Sequence, residues 1–326
     1  MDPKTLVLLT SLACDLEPPL RRKLTTPYRL IRLPDQASAD EVAAGMREAD
    51  AVLTLRYDVK LPAPRLRFLQ VAGAGYDRIE FAKLPAGVTI ANAFGHDQAI
   101  GEYVLLGMLM WSHDIIEAER SFRGGSWRMS GRMQAPIHDE IGGKTVGVLG
   151  VGRIGRAVAR LAKPFGMRVL GCNRTVRDEP DIERVYPLTD LHSFLAECDF
   201  VALCAALAPE TTGLIDAVAF GAMKPSAVLI NVGRGESVEE DALYAALKTR
   251  RIAGAVIDAW YRYPSPAQPD VPPSRHPFHE LPNLIMTPHS SAWTRGMIDR
   301  RVAEMADNFD RFARGEPLRN VIHRTG

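Results

Sequence analysis

Cysteine is scarce: the 326 residues hold four, at positions 14, 172, 198 and 204, with no CxxC pair, which excludes a disulfide scaffold. Three of them sit in or beside apolar runs, where a free thiol behaves as a small hydrophobe, so the thiols read as reduced and the chain as cytoplasmic. Net charge is nearly absent too. Forty Lys+Arg against 39 Asp+Glu leave +1, so no global field draws in nucleic acid or an anionic membrane, and any anionic ligand needs a local site. No uncharged apolar run approaches the ~18 residues of a membrane span. Even the apolar stretch 99–111 carries Glu102. The N-terminus has one Lys before a short apolar run and then turns acidic, which fits a first buried strand better than a signal peptide. Repeats and low-complexity tracts are missing, and the one proline-rich stretch is 264–277. With 46% hydrophobic and 24% charged residues, the composition is that of a globular protein, and a prior of ~150 residues per domain predicts two cores.

Short apolar runs alternate with helix-patterned segments. LVLLTSL, YRLIRL, AVLTL and LRFLQVAG come first; TVGVLG, RVLGCN, FVALCAA, AVLINVG, AGAVIDAW and LIMTPH follow after a long interval. Such alternation predicts an α/β fold with parallel sheets covered on both faces. Residues 97–122 keep a helical apolar pattern and read as one linking helix; 294–314 read as a second long helix. The simplest organisation is two Rossmann-like or flavodoxin-like domains. A discontinuous substrate domain takes 1–97 plus 292–326, and an inserted dinucleotide-binding domain takes 98–291.

The strand 145–149 runs into Gly150, Gly152 and Gly155 and then an amphipathic helix, with Arg153 and Ile154 inside the turn. The first glycine allows the tight turn, the second lets a pyrophosphate approach the backbone, and the third lets helix and strand pack closely. The end of the next strand selects the cofactor, because a carboxylate there bonds the ribose of NAD and repels the 2′-phosphate of NADP. That position holds Asn173, followed by Arg174 and Thr175, with Arg177 close behind. All can donate to a phosphate, so NADP(H) is preferred, with NAD(H) also possible. The alternative is that the arginines are solvated loop charges.

Two more segments stand at predicted strand ends, where an open α/β sheet places its ligands. Asn231-Val-Gly-Arg234-Gly235 offers an arginine between glycines, and Thr287-Pro-His289 a histidine after a proline. With the glycine-rich turn, this series resembles the D-isomer-specific 2-hydroxyacid dehydrogenase family, in order and spacing from about Gly73 to the end. The resemblance implies that Arg234 pairs with a substrate carboxylate and polarises a keto oxygen, while His289 protonates that oxygen as hydride arrives. Guanidinium suits a planar 2-keto acid, and imidazole exchanges protons near neutral pH. The family's GxGxD turn corresponds to Gly73-Ala74-Gly75-Tyr76-Asp77, with the amides of Ala74 and Gly75 on the other carboxylate edge. Val232 and Asp258 fall to the cofactor.

One position departs from the family. Five residues after Asp258, where a glutamate usually orients the histidine and raises its pKa, stands Tyr263. A phenol can bond to His289 without supplying a negative charge, so Tyr263 joins Arg234 and His289 as a candidate catalytic residue, the alternative being packing. A histidine without a carboxylate partner titrates near ~6.5, which predicts reduction that weakens as pH rises through neutrality. Arg56 and Trp293 are candidate substrate contacts, the former with solvation as an even alternative. Glu102 reads as structural. His276 and His279 have i,i+3 spacing, but nothing completes a metal site, so no metal is expected. The reading is an NADP(H)-dependent reductase of small 2-keto acids of the glyoxylate or hydroxypyruvate type, giving D-2-hydroxy acids, cytoplasmic and by resemblance a homodimer. Its rivals are an NAD-dependent formate or phosphite dehydrogenase and a nucleotide-sensing corepressor without catalysis.

Overall fold

In a computed structural model, residues 3–133, 135–265 and 268–326 are described, so Pro266 of the proline-rich stretch lies outside them. The chain divides into two compact units, Met1–His96 with Thr294–Gly326, and Asp97–Trp293. In the first unit lie β1 (Lys4–Leu9), β2 (Tyr28–Leu33), β3 (Ala51–Thr54), β4 (Phe68–Val71) and β5 (Thr89–Ala91). The second holds β6 (Thr145–Leu149), β7 (Arg168–Asn173), β8 (Arg184–Pro187), β9 (Phe200–Leu203), β10 (Val228–Asn231), β11 (Gly254–Ile257) and β12 (Leu284–Met286); β13 (Val321–Arg324) returns to the first.

The first sheet runs β13-β5-β4-β3-β1-β2, parallel except for β13, which pairs antiparallel with β5 at the edge. The second runs β12-β11-β10-β9-β6-β7-β8 and is parallel throughout. Its central strands read as unbroken apolar runs because both faces are covered: every residue of β6, β9, β10 and β11 is buried. One apolar layer gathers Leu170, Phe194, Phe220 and Leu243, the other Val104, Met108, Val148 and Val158. Strand order reverses between β6 and β9, the place where such a sheet opens a ligand crevice at its carboxyl edge.

Residues 97–122 are not one linking helix. Asp97–Ser112 and Ile115–Arg123 are separate helices, because Asp114 takes the left-handed backbone at φ +48° and breaks the hydrogen-bond run. The short strands β5, β8 and β13 also lie outside the apolar runs read from the sequence. No helix among the described residues is long and apolar enough to cross a membrane. All four cysteines are unpaired, and burial pushes the thiols of Cys172 and Cys198 up to about 12, which keeps them inert at neutral pH.

Candidate active site

The glycine-rich turn is built by close approach at the switch point. Gly150 lies at φ +98°, and a Cβ there would meet Ala205 N at 2.5 Å. At Gly155 a Cβ would stand 2.4 Å from the Gly150 carbonyl oxygen, so helix and strand meet only if it is absent. Gly152 faces open space on its Cβ side and begins the helix Arg153–Ala162 with no side-chain cap. That leaves room for an anion at a helix N-terminus, as a pyrophosphate needs. Ile154 is half-buried against the core, and Arg153 is exposed.

Beyond β7 the chain lines a cleft of about 180 Å³ with Val151, Arg156, Asn173, Thr175, Arg177, Glu179 and Val185. Asn173 pins the loop by donating from Nδ2 to the Thr175 carbonyl at 3.0 Å. Arg174 pairs with Glu210 at 2.5 Å. The two other charged members of this cleft escape the sequence reading. Arg156 grips Glu179 through Nε and Nη2, both at 2.7 Å, which holds the Glu179 carboxyl below the usual range. A turn closed by Ile182 N on the Glu179 carbonyl brings that carboxylate back, six residues past the position where an acid selects NAD. Its signal was the arginine four residues after Gly152, one helical turn in.

At the ends of β10, β11 and β12 three loops interlock. Asn231, 1% exposed, accepts from Gly233 N at 3.0 Å and donates to the Arg234 carbonyl at 3.1 Å, which fixes the loop that carries Arg234. A Cβ on Gly235 would lie 2.4 Å from the Trp260 carbonyl oxygen, so this loop is pressed onto the one after β11. Buried Trp260 donates from Nε1 to the Thr287 carbonyl at 2.9 Å and from its backbone N to the Tyr263 hydroxyl at 3.0 Å. That hydroxyl stands 2.8 Å from Nδ1 of His289. Partial burial pushes the Tyr263 phenol up, opposed by the Trp260 N–H and by the charge of nearby Arg234. Thus Arg234, Tyr263 and His289 come together within one unit.

His289 is exposed and has a left-handed backbone at φ +55°. Asp258 holds it there. The sequence assigns Asp258 to the cofactor; the structure buries it and commits both carboxylate oxygens to the histidine loop. Oδ1 accepts from Thr287 Oγ1 at 2.6 Å and Ser290 N at 2.8 Å, and Oδ2 from Ser291 N at 3.0 Å. Tyr103, from the helix Asp97–Ser112, extends the chain through Thr287 Oγ1 at 2.5 Å, and burial pushes its phenol up to about 12. Val232 has its side chain in the apolar core. Trp293 donates its backbone N–H to the Ser290 carbonyl at 2.9 Å, and the residue is 60% exposed.

In the first unit the turn at Gly73–Gly75 is anchored by Asn92 Nδ2, which donates to the Ala74 carbonyl at 2.8 Å, and by Ala93 N on the Gly73 carbonyl at 3.0 Å. Arg56 lies between two carboxylates, Asp35 at 3.4 Å and Asp58 at 3.6 Å, which offset its charge. Glu102 accepts from Gln98 at 2.6 Å along its helix. His276 is taken by Asp241 at 2.6 Å and stacks on Tyr244, and no group of three metal-ligating side chains occurs among the described residues.

A family model described as D-isomer specific 2-hydroxyacid dehydrogenase, NAD binding domain, matches residues 105–291. A glyoxylate reductase from Thermococcus gammatolerans is 34% identical over 290 residues, covering 86% of this chain and 84% of the relative. A D-isomer specific 2-hydroxyacid dehydrogenase family protein from Aeromonas salmonicida superposes with a TM-score of 0.81 at 28% identity, over 99% of both chains. A D-isomer specific 2-hydroxyacid dehydrogenase from Xanthobacter autotrophicus, solved with NADPH and MES, gives a TM-score of 0.79 at 26% identity, over 99% of this chain and 98% of the other.

Proposed function

This chain belongs to the D-isomer specific 2-hydroxyacid dehydrogenase family, and from that premise we propose that it reduces small 2-keto acids of the glyoxylate or hydroxypyruvate type with NADPH. The observation that carries the reading is the grouping of Arg234, Tyr263 and His289 on adjoining strand-end loops, with His289 Nδ1 2.8 Å from the Tyr263 hydroxyl. Arg234 takes the substrate carboxylate and polarises the keto oxygen; His289 protonates it. Bound nicotinamide supplies the hydride. The residues fit that cofactor: Gly152 leaves its approach open, and Gly150 and Gly155 occupy sites where a Cβ has no room. The product is the D-2-hydroxy acid.

Preference for NADP(H) is supported by Arg156 and Arg177 around one cleft with a single carboxylate, Glu179, and by the Xanthobacter relative's complex with NADPH. A homodimer belongs to the same proposal. Large apolar side chains are exposed in and after the helix Ile115–Arg123, among them Met133, Ile137 and the ring pair Phe122–Trp127, and their exposure supports a partner there. Four unpaired thiols support a cytoplasmic setting.

The test follows NADPH and NADH oxidation with glyoxylate, hydroxypyruvate and larger 2-keto acids. NADPH is expected to give a kcat/KM at least about tenfold above NADH, equivalent to ~1.4 kcal/mol, and Arg177→Ala to shrink that ratio. Absence of keto-acid reduction would overturn the substrate assignment; equal use of the two cofactors, or an unchanged ratio in Arg177→Ala, would overturn the cofactor preference.

A further inference from the structure

The reading above makes His289 the proton donor to the keto oxygen, and the inference rests on it. Where that proton originates turns on the direction of one hydrogen bond. The Tyr263 oxygen receives the backbone N–H of Trp260 at 3.0 Å, and a backbone N–H only donates. With the Trp260 N–H on one lone pair of its oxygen, the phenol has His289 Nδ1 2.8 Å away as a partner for its own proton, in a contact whose direction is set by the ring's tautomer. When the phenol donates, Nδ1 is the acceptor, and the single proton of the neutral ring sits on Nε2. A carboxylate at this position would do the reverse, accepting from an Nδ1–H and stabilising the doubly protonated ring.

We propose that Tyr263 is the proton source behind His289, so that a neutral imidazole relays a proton to the substrate without passing through imidazolium. The reductant is the reduced nicotinamide, and reduction moves the carbonyl π electrons onto the keto oxygen. That oxygen takes the Nε2 proton as Nδ1 takes the phenol proton. The Nε2–H and Tyr263 O–H bonds break, the product O–H and an Nδ1–H bond form, and one negative charge is left on the Tyr263 oxygen until it takes back the Nδ1 proton while solvent returns one to Nε2. The direction is favourable, because an aliphatic alkoxide is a stronger base than a phenolate. Arg234 and the Trp260 N–H stabilise the phenolate, Glu236 and Asp258 oppose it, and His289 stands 2.8 Å from its oxygen. Tyr263 acts through His289 and touches no reacting atom itself.

This reverses the pH dependence of an isolated imidazole. Reduction that needs imidazolium declines once the ring loses its proton, whereas the relay holds until the phenol, which burial pushes up, ionises. Wild-type kcat/KM for keto-acid reduction is therefore expected to stay level from about pH 6 to 9. Tyr263→Phe keeps the ring and removes the proton, so it should match wild type at the acid end of the profile and fall about tenfold per pH unit below it once the ring deprotonates. In the resting wild-type protein, the imidazole nitrogen shifts of His289 should report a neutral Nε2–H ring. Coincident profiles for the two enzymes, or an Nδ1–H ring in the wild type, would overturn the relay. If no keto acid is reduced, the substrate reading fails by itself, and the nitrogen shifts still decide the direction of the Tyr263–His289 bond.

Discussion

A non-glycine residue in the left-handed region costs on the order of 1–3 kcal/mol, and His289 sits there at φ +55°. The cost is met by its neighbours: Thr287, Ser290 and Ser291 all donate to the one buried carboxylate of Asp258. Asp258→Asn keeps the size but turns one acceptor into a donor facing donors, which should cost roughly 1–3 kcal/mol of stability. With the loop slackened, kcat should fall about 10–100-fold, because a small misplacement of the proton donor is amplified in rate. The NADPH dissociation constant should stay within about twofold, a shift of less than ~0.5 kcal/mol. If instead NADPH affinity collapsed while kcat held, Asp258 would be a cofactor contact, as the sequence alone suggests. The residues on strand-end motifs, Arg234 and His289, were legible because glycine and proline frame them at family spacing. The role of Asp258 was not, since its partners lie 29 to 33 residues away, nor that of Tyr103, 184 residues from Thr287. Such pairings exist only once the sheet has formed.

At the scale of elements, the strand–turn–helix from β6 into Arg153–Ala162 separates two demands that the motif combines, and two substitutions distinguish them. A Cβ at Gly155 would overlap the Gly150 carbonyl oxygen at 2.4 Å and Val148 Cγ1 at 2.7 Å, so Gly155→Ala must push the helix off the strand. Overpacking of this kind typically costs ~1–3 kcal/mol, and the turn's phosphate geometry goes with it. Gly152→Ala meets nothing within 4 Å, so its stability should stay within about 0.5 kcal/mol of wild type. Its methyl group nevertheless occupies the approach of the pyrophosphate, and NADPH affinity should drop at least about tenfold. Thermal unfolding and NADPH titration of both variants are the measurements; a Gly152→Ala protein that binds NADPH normally would move the pyrophosphate elsewhere. Elements with long buried runs were readable for the reason that makes them stable, burial on both faces. β8 and β13 were not: Arg184-Val-Tyr-Pro and Val-Ile-His-Arg are short, mixed edge strands whose pairing is dictated by the neighbour already in place.

At the scale of the whole molecule, the chain leaves its first unit after His96 and returns at Thr294, so that unit is completed only after the second has been made. The returning helix Arg295–Arg314 brings fully buried Phe309 edge-on to Phe68 at 5.4 Å between ring centroids, and Asn308, which donates to buried Gln70 at 2.9 Å. Asp310, 4% exposed, ties the return to the N-terminal part of the chain, its carboxylate accepting from the backbone N–H and hydroxyl groups of both Thr25 and Thr26. Burial pulls this carboxyl up, but the four threonine donors outweigh it and hold it below its ordinary value. A carboxyl whose native pKa lies below its unfolded value of ~3.9 stabilises the fold fully above that pH, and loses its contribution as pH falls through the native value. Asparagine imitates the protonated acid in shape and charge. Asp310→Asn should therefore lower the unfolding free energy of the first unit by roughly 1.5–3 kcal/mol at neutral pH, the usual worth of hydrogen bonds to a charged group. Denaturant unfolding of both proteins from about pH 7 down to about 3 should show the difference constant at first and shrinking below ~4. A gap that stayed the same width across that range would mean that Asp310 holds the returning helix by shape alone and that its charge contributes nothing.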